Sequence, residues 1–115
     1  MKTLQEINES LERVHIELNK KIFEMEIART EYQHAKAIYE NEYSKYLLET
    51  KMKCTDWTVQ EIKAKTITLS YPEKLGMIKA ESQYRSLSGE LKGLYTEHDG
   101  LREQAFNLRA ELKRL

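Results

Sequence analysis

The residues able to do chemistry are few in this chain of 115 residues, and their spacing is helical. Two Glu-x-x-His pairs, Glu12/His15 and Glu31/His34, each put a carboxylate and an imidazole on one helix face. Di-iron helical bundles use that spacing, but with the pairs on different helices and further carboxylates pointing inward. Both pairs here fall on one predicted helix beside its apolar stripe, so they read as solvated faces. Cys54 is the single cysteine, which leaves no intrachain disulfide framework and no cysteine-based metal site. No Gly-rich phosphate loop, Ser/His/Asp grouping or usable Cys/His pair occurs. The reading is a non-enzymatic protein without catalytic residues, metal, cofactor or small-molecule substrate.

Charge is more informative. The chain holds 19 basic and 19 acidic residues, so a bulk electrostatic pull toward nucleic acid or membrane is absent. Locally the balance breaks. Residues 50–80 carry Lys51, Lys53, Lys63, Lys65, Lys74 and Lys79 against Asp56, Glu61 and Glu73. Lysines near Trp57 are suited to holding phosphates with an aromatic ring in reach. Lys51, Lys53, Lys63, Lys65 and Trp57 are therefore the candidate nucleic-acid-binding residues, although a solubilised turn would use lysines too. Tyr32, Tyr39, Tyr43 and Tyr46 would suit a base-stacking ladder, yet all four fall on an apolar stripe, which marks them as core.

Two stretches must position these residues. In the C-terminal one, Met77, Ala80, Tyr84, Leu87, Leu91, Leu94, His98, Leu101, Ala105, Leu108, Leu112 and Leu115 recur with strictly alternating steps of three and four. A mean step of about 3.5 keeps one seam on a partner helix. In the N-terminal stretch, Leu4, Ile7, Leu11, Val14, Leu18, Ile22, Met25, Ala28, Tyr32, Ala35, Tyr39, Tyr43 and Tyr46 form a matching seam whose phase breaks around residue 18 and after residue 39. Ile16, Phe23, Ile27, Ile38 and Leu47 add a second, flanking apolar face that one partner helix cannot cover. His98, a lone polar residue in a seam, is expected to set register. Gly89, Gly93 and Gly100 suggest close helix approach or a softened rod, with simple tolerance as the alternative.

Between the stretches, Thr58-Val59-Gln60-Glu61 reads as a capping box with Trp57 and Ile62 as its staple, opening a short helix. Thr66-Ile67-Thr68-Leu69 is β-prone, which blurs that helix's end. Ser70-Tyr71-Pro72-Glu73 reads as a second capping box. The expected fold is all-α: a single-domain antiparallel coiled-coil hairpin with arms 3–53 and 72–115 and an elbow at 54–71 holding a short helix. A two-helix core is thin, so homo-oligomerisation through the first arm, at Ile16, Phe23, Ile27, Ile38 and Leu47, is expected. The hairpin seam is carried by Leu87, Leu91, Leu94, His98, Leu101 and Leu108. The lone cysteine, the polar Met1-Lys2-Thr3 start and the absence of an apolar run near the ~18 residues of a membrane span suggest a cytoplasmic protein without membrane partners.

Glu42-Tyr43-Ser44-Lys45-Tyr46-Leu47-Leu48, Trp57 to Ala64 and Ala80 to Leu87 carry a resemblance in layout. Over roughly residues 20–110 the chain resembles small helical proteins of phage recombination and replication gene clusters, and is more distantly similar to the UvsY recombination mediators. That resemblance implies an oligomer in the host cytoplasm that binds single-stranded DNA and loads a recombinase onto it, displacing a single-strand-binding protein. UvsY proteins carry a basic Lys-Ala-Arg-Leu motif near the end of the first arm. This chain has the less basic Leu48-Glu49-Thr50-Lys51-Met52 there, with Ile62-Lys63-Ala64-Lys65 as a displaced partial match. The chain is also similar to prefoldin, a holdase chaperone, but the elbow is too short for prefoldin's β-hairpin platform. A scaffold binding only protein partners through the first arm's apolar flank is the remaining reading.

Overall fold

The computed structural model describes residues 2–114; the last seam residue, Leu115, lies outside them. Three helices account for nearly all of it: α1 (Leu4–Lys53), α2 (Val59–Leu69) and α3 (Tyr71–Arg114), with no strand among the described residues. Neither Pro nor Gly interrupts the fifty residues of α1. Thr3 starts α1, its Oγ1 accepting from the Glu6 amide at 3.2 Å. Glu6 in the first turn and Lys51 and Lys53 in the last complement the helix dipole.

The turn after α1 is short. The Cys54 amide donates to the Thr50 carbonyl and the Trp57 amide to the Cys54 carbonyl, which reverses the chain just before Thr58. Thr58 caps α2 as expected, its Oγ1 accepting from the Glu61 amide at 3.2 Å. The return half of the box differs in detail: the Glu61 carboxylate accepts from the Thr58 hydroxyl, at 3.1 Å. The β-prone run stays helical to Leu69. Thr66 and Thr68 donate their hydroxyls to the carbonyls of Ile62 and Ala64, so branched side chains that would favour a strand bond back into the helix.

The second capping box does not form as expected. Ser70 is buried, and its hydroxyl donates backward to the Thr66 carbonyl at 2.8 Å. A single residue joins α2 to α3, so Ser70 meets the open carbonyls of α2 before the open amides of α3. One carboxylate oxygen of Glu73 is left buried without a hydrogen-bond partner.

The described chain packs as two compact units, one formed by the segments up to Glu26 and from Arg85 onward, the other by Ile27–Tyr84. In the first, the N-terminal part of α1 lies antiparallel to the C-terminal part of α3, as a helical hairpin requires. Ile7, Val14, Leu18, Leu91, Leu101 and Ala105 are its buried core, with Leu4, Leu11, Ile22, Met25, Leu94 and Leu108 packed against them. The seams expected from spacing are the stripes that are buried. Leu112 is the exception, half exposed near the end of α3. His98 sits half-buried in the seam, its Nδ1 3.9 Å from Asp99. Lys21 spans the two helices, 2.7 Å from Glu90 and 3.3 Å from Glu24. The hydrogen bond to Glu90 leads in raising its pKa above the ordinary lysine value.

In the second unit Ala28 is buried and the tyrosines fill the seam. Tyr32 stacks on Tyr84 with ring centroids 6.2 Å apart, and Tyr39 tilts against Tyr43 at 6.1 Å. Below them, Thr50, Ile62, Thr66 and Ser70 form the buried interior of the elbow. Three of these four are small hydroxyl residues, which allow α1 and α2 to sit close, and Thr66 and Ser70 satisfy their hydroxyls within α2.

The glycines of α3 do not mark close packing. A Cβ added at Gly89, Gly93 or Gly100 meets nothing within 4 Å. The expectation of close helix approach is therefore corrected. Each glycine only adds backbone freedom to the unfolded chain. Gly89→Ala and Gly93→Ala should each stabilise the fold by about 0.5–1 kcal/mol, read as a rise in denaturation midpoint with an unchanged slope.

Candidate functional site

The lysine-bearing elbow lies wholly within the second unit, where α1 ends, α2 begins and the two pack side by side. Lys51, Lys53, Lys63 and Lys65 are all exposed, and Trp57 is partly so. Helix geometry divides the four lysines. On α2, Ile62 and Thr66 point inward, and Lys63 and Lys65 leave on opposite sides of that stripe, about 160° apart at 3.6 residues per turn. On α1, Thr50 points inward, and Lys51 and Lys53 diverge about it in the same way.

The structure brings Lys53 and Lys65 together. They line one open groove of about 300 Å³ with Tyr46, Glu49, Thr50, Cys54 and Leu69. Lys51, Lys63 and Trp57 are not among its walls. Two cations that are twelve residues apart in sequence thus meet at one surface depression, with a single carboxylate, Glu49, beside them. Like charges held at one site cost energy unless water or an anion screens them. An extended anionic chain fits the arrangement: cations along a groove and an aromatic wall in Tyr46. An enclosed substrate pocket does not.

Spacing did not single out Tyr46 as a groove wall, nor Glu49, Cys54 and Leu69. The signal present was the four-residue step from Tyr46 to Thr50 and on to Cys54, which puts the three on one side of the end of α1. Tyr46 has a second neighbour. The negative charge of Glu73 raises its phenol pKa above the ordinary 10.0, with burial acting in the same direction.

The residues expected to form an oligomer surface separate into two groups. Ile16 and Phe23 in the first unit, and Ile27 and Ile38 in the second, are exposed. Leu47 is half-buried, because it lies three residues from buried Thr50 and so borders the inward stripe. Glu12, His15, Glu31 and His34 are all exposed, and no group of three or more metal-binding side chains comes together among the described residues. Among the described residues no helix is long and apolar enough to cross a membrane.

With this geometry in view, the chain was compared with protein-family models, with curated proteins and with solved structures, and none matches it.

The Glu73–Tyr46 pairing adds an alkaline pH dependence to stability. A phenol whose folded pKa is raised stays protonated in the folded state while the unfolded chain ionises, so stability falls as pH rises through and above 10. Replacing Glu73 with Gln should bring the Tyr46 titration, followed by NMR of labelled tyrosine rings, back toward 10 and lessen that loss.

Proposed function

We propose that the protein is a non-enzymatic accessory of phage DNA recombination. It holds single-stranded DNA at the elbow, self-associates through the outer face of α1, and takes a recombinase or a single-strand-binding protein as its partner. The observation that most supports this reading is the convergence of Lys53 and Lys65, from two helices, on one groove walled by Tyr46. Phosphates would neutralise the two ammonium groups, and a base would lie against the ring. Lys51 and Lys63, on the other flank of each helix, would contact a strand that continues round the elbow. The choice of single-stranded DNA as ligand rests on the resemblance in layout to phage recombination proteins noted from the sequence.

A scaffold that binds only protein is the second reading. It is favoured by the apolar side chains left open around the same elbow, among them Met52 at 72% and Val59 at 80% exposure. Isolated lysines on such a surface would serve solubility.

Anisotropy of a labelled oligonucleotide over a salt series separates the two. Each phosphate of a single strand that a lysine neutralises adds about 0.7 to the salt slope. A Lys53→Glu/Lys65→Glu variant should therefore show a slope shallower by about 1.4 and bind more weakly at low salt. Trp57, the sole tryptophan, should report a strand at the elbow by a change in its fluorescence. Absence of binding by the parent protein at low salt, or unchanged binding when all four of Lys51, Lys53, Lys63 and Lys65 become Glu, would leave the scaffold reading in its place.

A further inference from the structure

We propose that the outer face of α1 in the first unit docks a second copy of this chain, antiparallel and in one specific register. This deepens the self-association part of the proposed function and is independent of DNA binding, so the two can fail separately. Val14 and Leu18 of α1 are buried in the core, and Ile16 lies about 160° round the helix from each. Phe23 falls within about 20° of Ile16. The two are 66% and 68% exposed. They face directly away from α3, so no side chain of their own hairpin can cover them.

Charge identifies the occupant. One flank of the Ile16–Phe23 stripe carries, in order, Arg13, Glu17, Lys20 and Glu24, of which the first three are exposed and Glu24 is partly so. In a two-fold pair, whatever residue i makes to residue j, residue j makes to residue i. Laying Ile16 on the second copy's Phe23 centres the two-fold axis between Asn19 and Lys20. In antiparallel helix pairs each flank faces its own copy, displaced by about two residues from the core layer. Glu17 then meets the second copy's Lys20, and Arg13 meets its Glu24. Each of these two contacts occurs twice and joins opposite charges; the two copies of Lys20 come nearest the axis, and each is met by the other copy's Glu17. Glu24 already lies 3.3 Å from Lys21 in its own chain, so the arriving arginine completes a three-membered network. A parallel pairing would instead bring Glu17 to the second copy's Glu12.

Shifting the antiparallel register by a heptad removes apolar cover. It sets Ile16 or Phe23 on its own copy and leaves the other against Glu9 or Thr30. The zero net charge of the chain adds no long-range repulsion between copies. Two apolar side chains per copy make an interface smaller than the ~1,000 Å² of a stable complex, so the association is weak and concentration-dependent.

Sedimentation of the full chain over a concentration series tests this. The mass should rise from 13.6 kDa toward twice that value. Glu17→Lys alone and Lys20→Glu alone should each weaken association about tenfold or more, because each places two like-charged pairs in the interface. Mixing the two single variants in equal amounts should restore the dimer, as should combining both changes in one chain. Phe23→Ser should abolish it in every background. Circular dichroism checks that helicity is retained throughout, since all three positions are exposed. A parent chain that stays monomeric at its highest soluble concentration, single variants that associate like the parent, or a mixture that fails to recover would each overturn the register. A chain that binds DNA but remains monomeric would overturn this proposal and leave the elbow reading standing.

Discussion

Burial of one stripe of α1 against one stripe of α3 is the contact on which the first unit rests. Ile7, Val14 and Leu18 meet Leu91, Leu101 and Ala105, and the half-buried leucines around them widen the seam without closing it. Two helices side by side can remove only one stripe of each from water. Every apolar residue off that stripe stays outside, and each polar group beside it must find a partner at the edge. Lys21, bridging to Glu90 and Glu24, is such an edge contact. The arrangement therefore produces both a stable seam and an unsatisfied outer face.

The elbow solves a different problem. A helix entering and one leaving must turn within a few residues, and the carbonyls at the end of α1 and α2 need donors. The Cys54 amide serves the Thr50 carbonyl of α1, the Ser70 hydroxyl serves the Thr66 carbonyl of α2, and Thr58 caps the amides of α2, so short polar groups rather than a large apolar cluster close the turn. The interior they leave is narrow. Larger groups such as Met52, Val59 and the four lysines are pushed to the surface. Function, on either reading, would use what this narrow interior excludes.

Much of this was legible in the residue spacing. Spacing alone marked every seam position from Leu4 to Tyr46 and from Met77 to Leu108, and these are buried or half-buried. It marked the tyrosines as core, where Tyr32 now stacks on Tyr84. Local chemistry marked the Thr58 cap. Less legible were features in which two segments compete for one group. Ser70 matched a cap for α3, but its hydroxyl is drawn to the Thr66 carbonyl because α2 ends one residue away. Gly89, Gly93 and Gly100 matched close packing, yet nothing approaches them. Leu47 matched the outer face, but it borders the inward stripe set by Thr50.

By itself, then, the sequence determined the helices, their inward faces and the residues left over, because a period near 3.5 and the chemistry of caps act within a few neighbouring residues. Tertiary structure alone decided which leftovers meet. Lys53 and Lys65 share a groove while Lys51 and Lys63 do not, and Glu73 acts on Tyr46 across 27 positions of chain. The Glu73–Tyr46 encounter depends on how α3 lies against α1, and the Lys53–Lys65 encounter on how α1 and α2 rotate about their own axes when they pack. That rotation is set by the volumes of Thr50, Ile62, Thr66 and Ser70 between them, a quantity that no spacing along one helix contains.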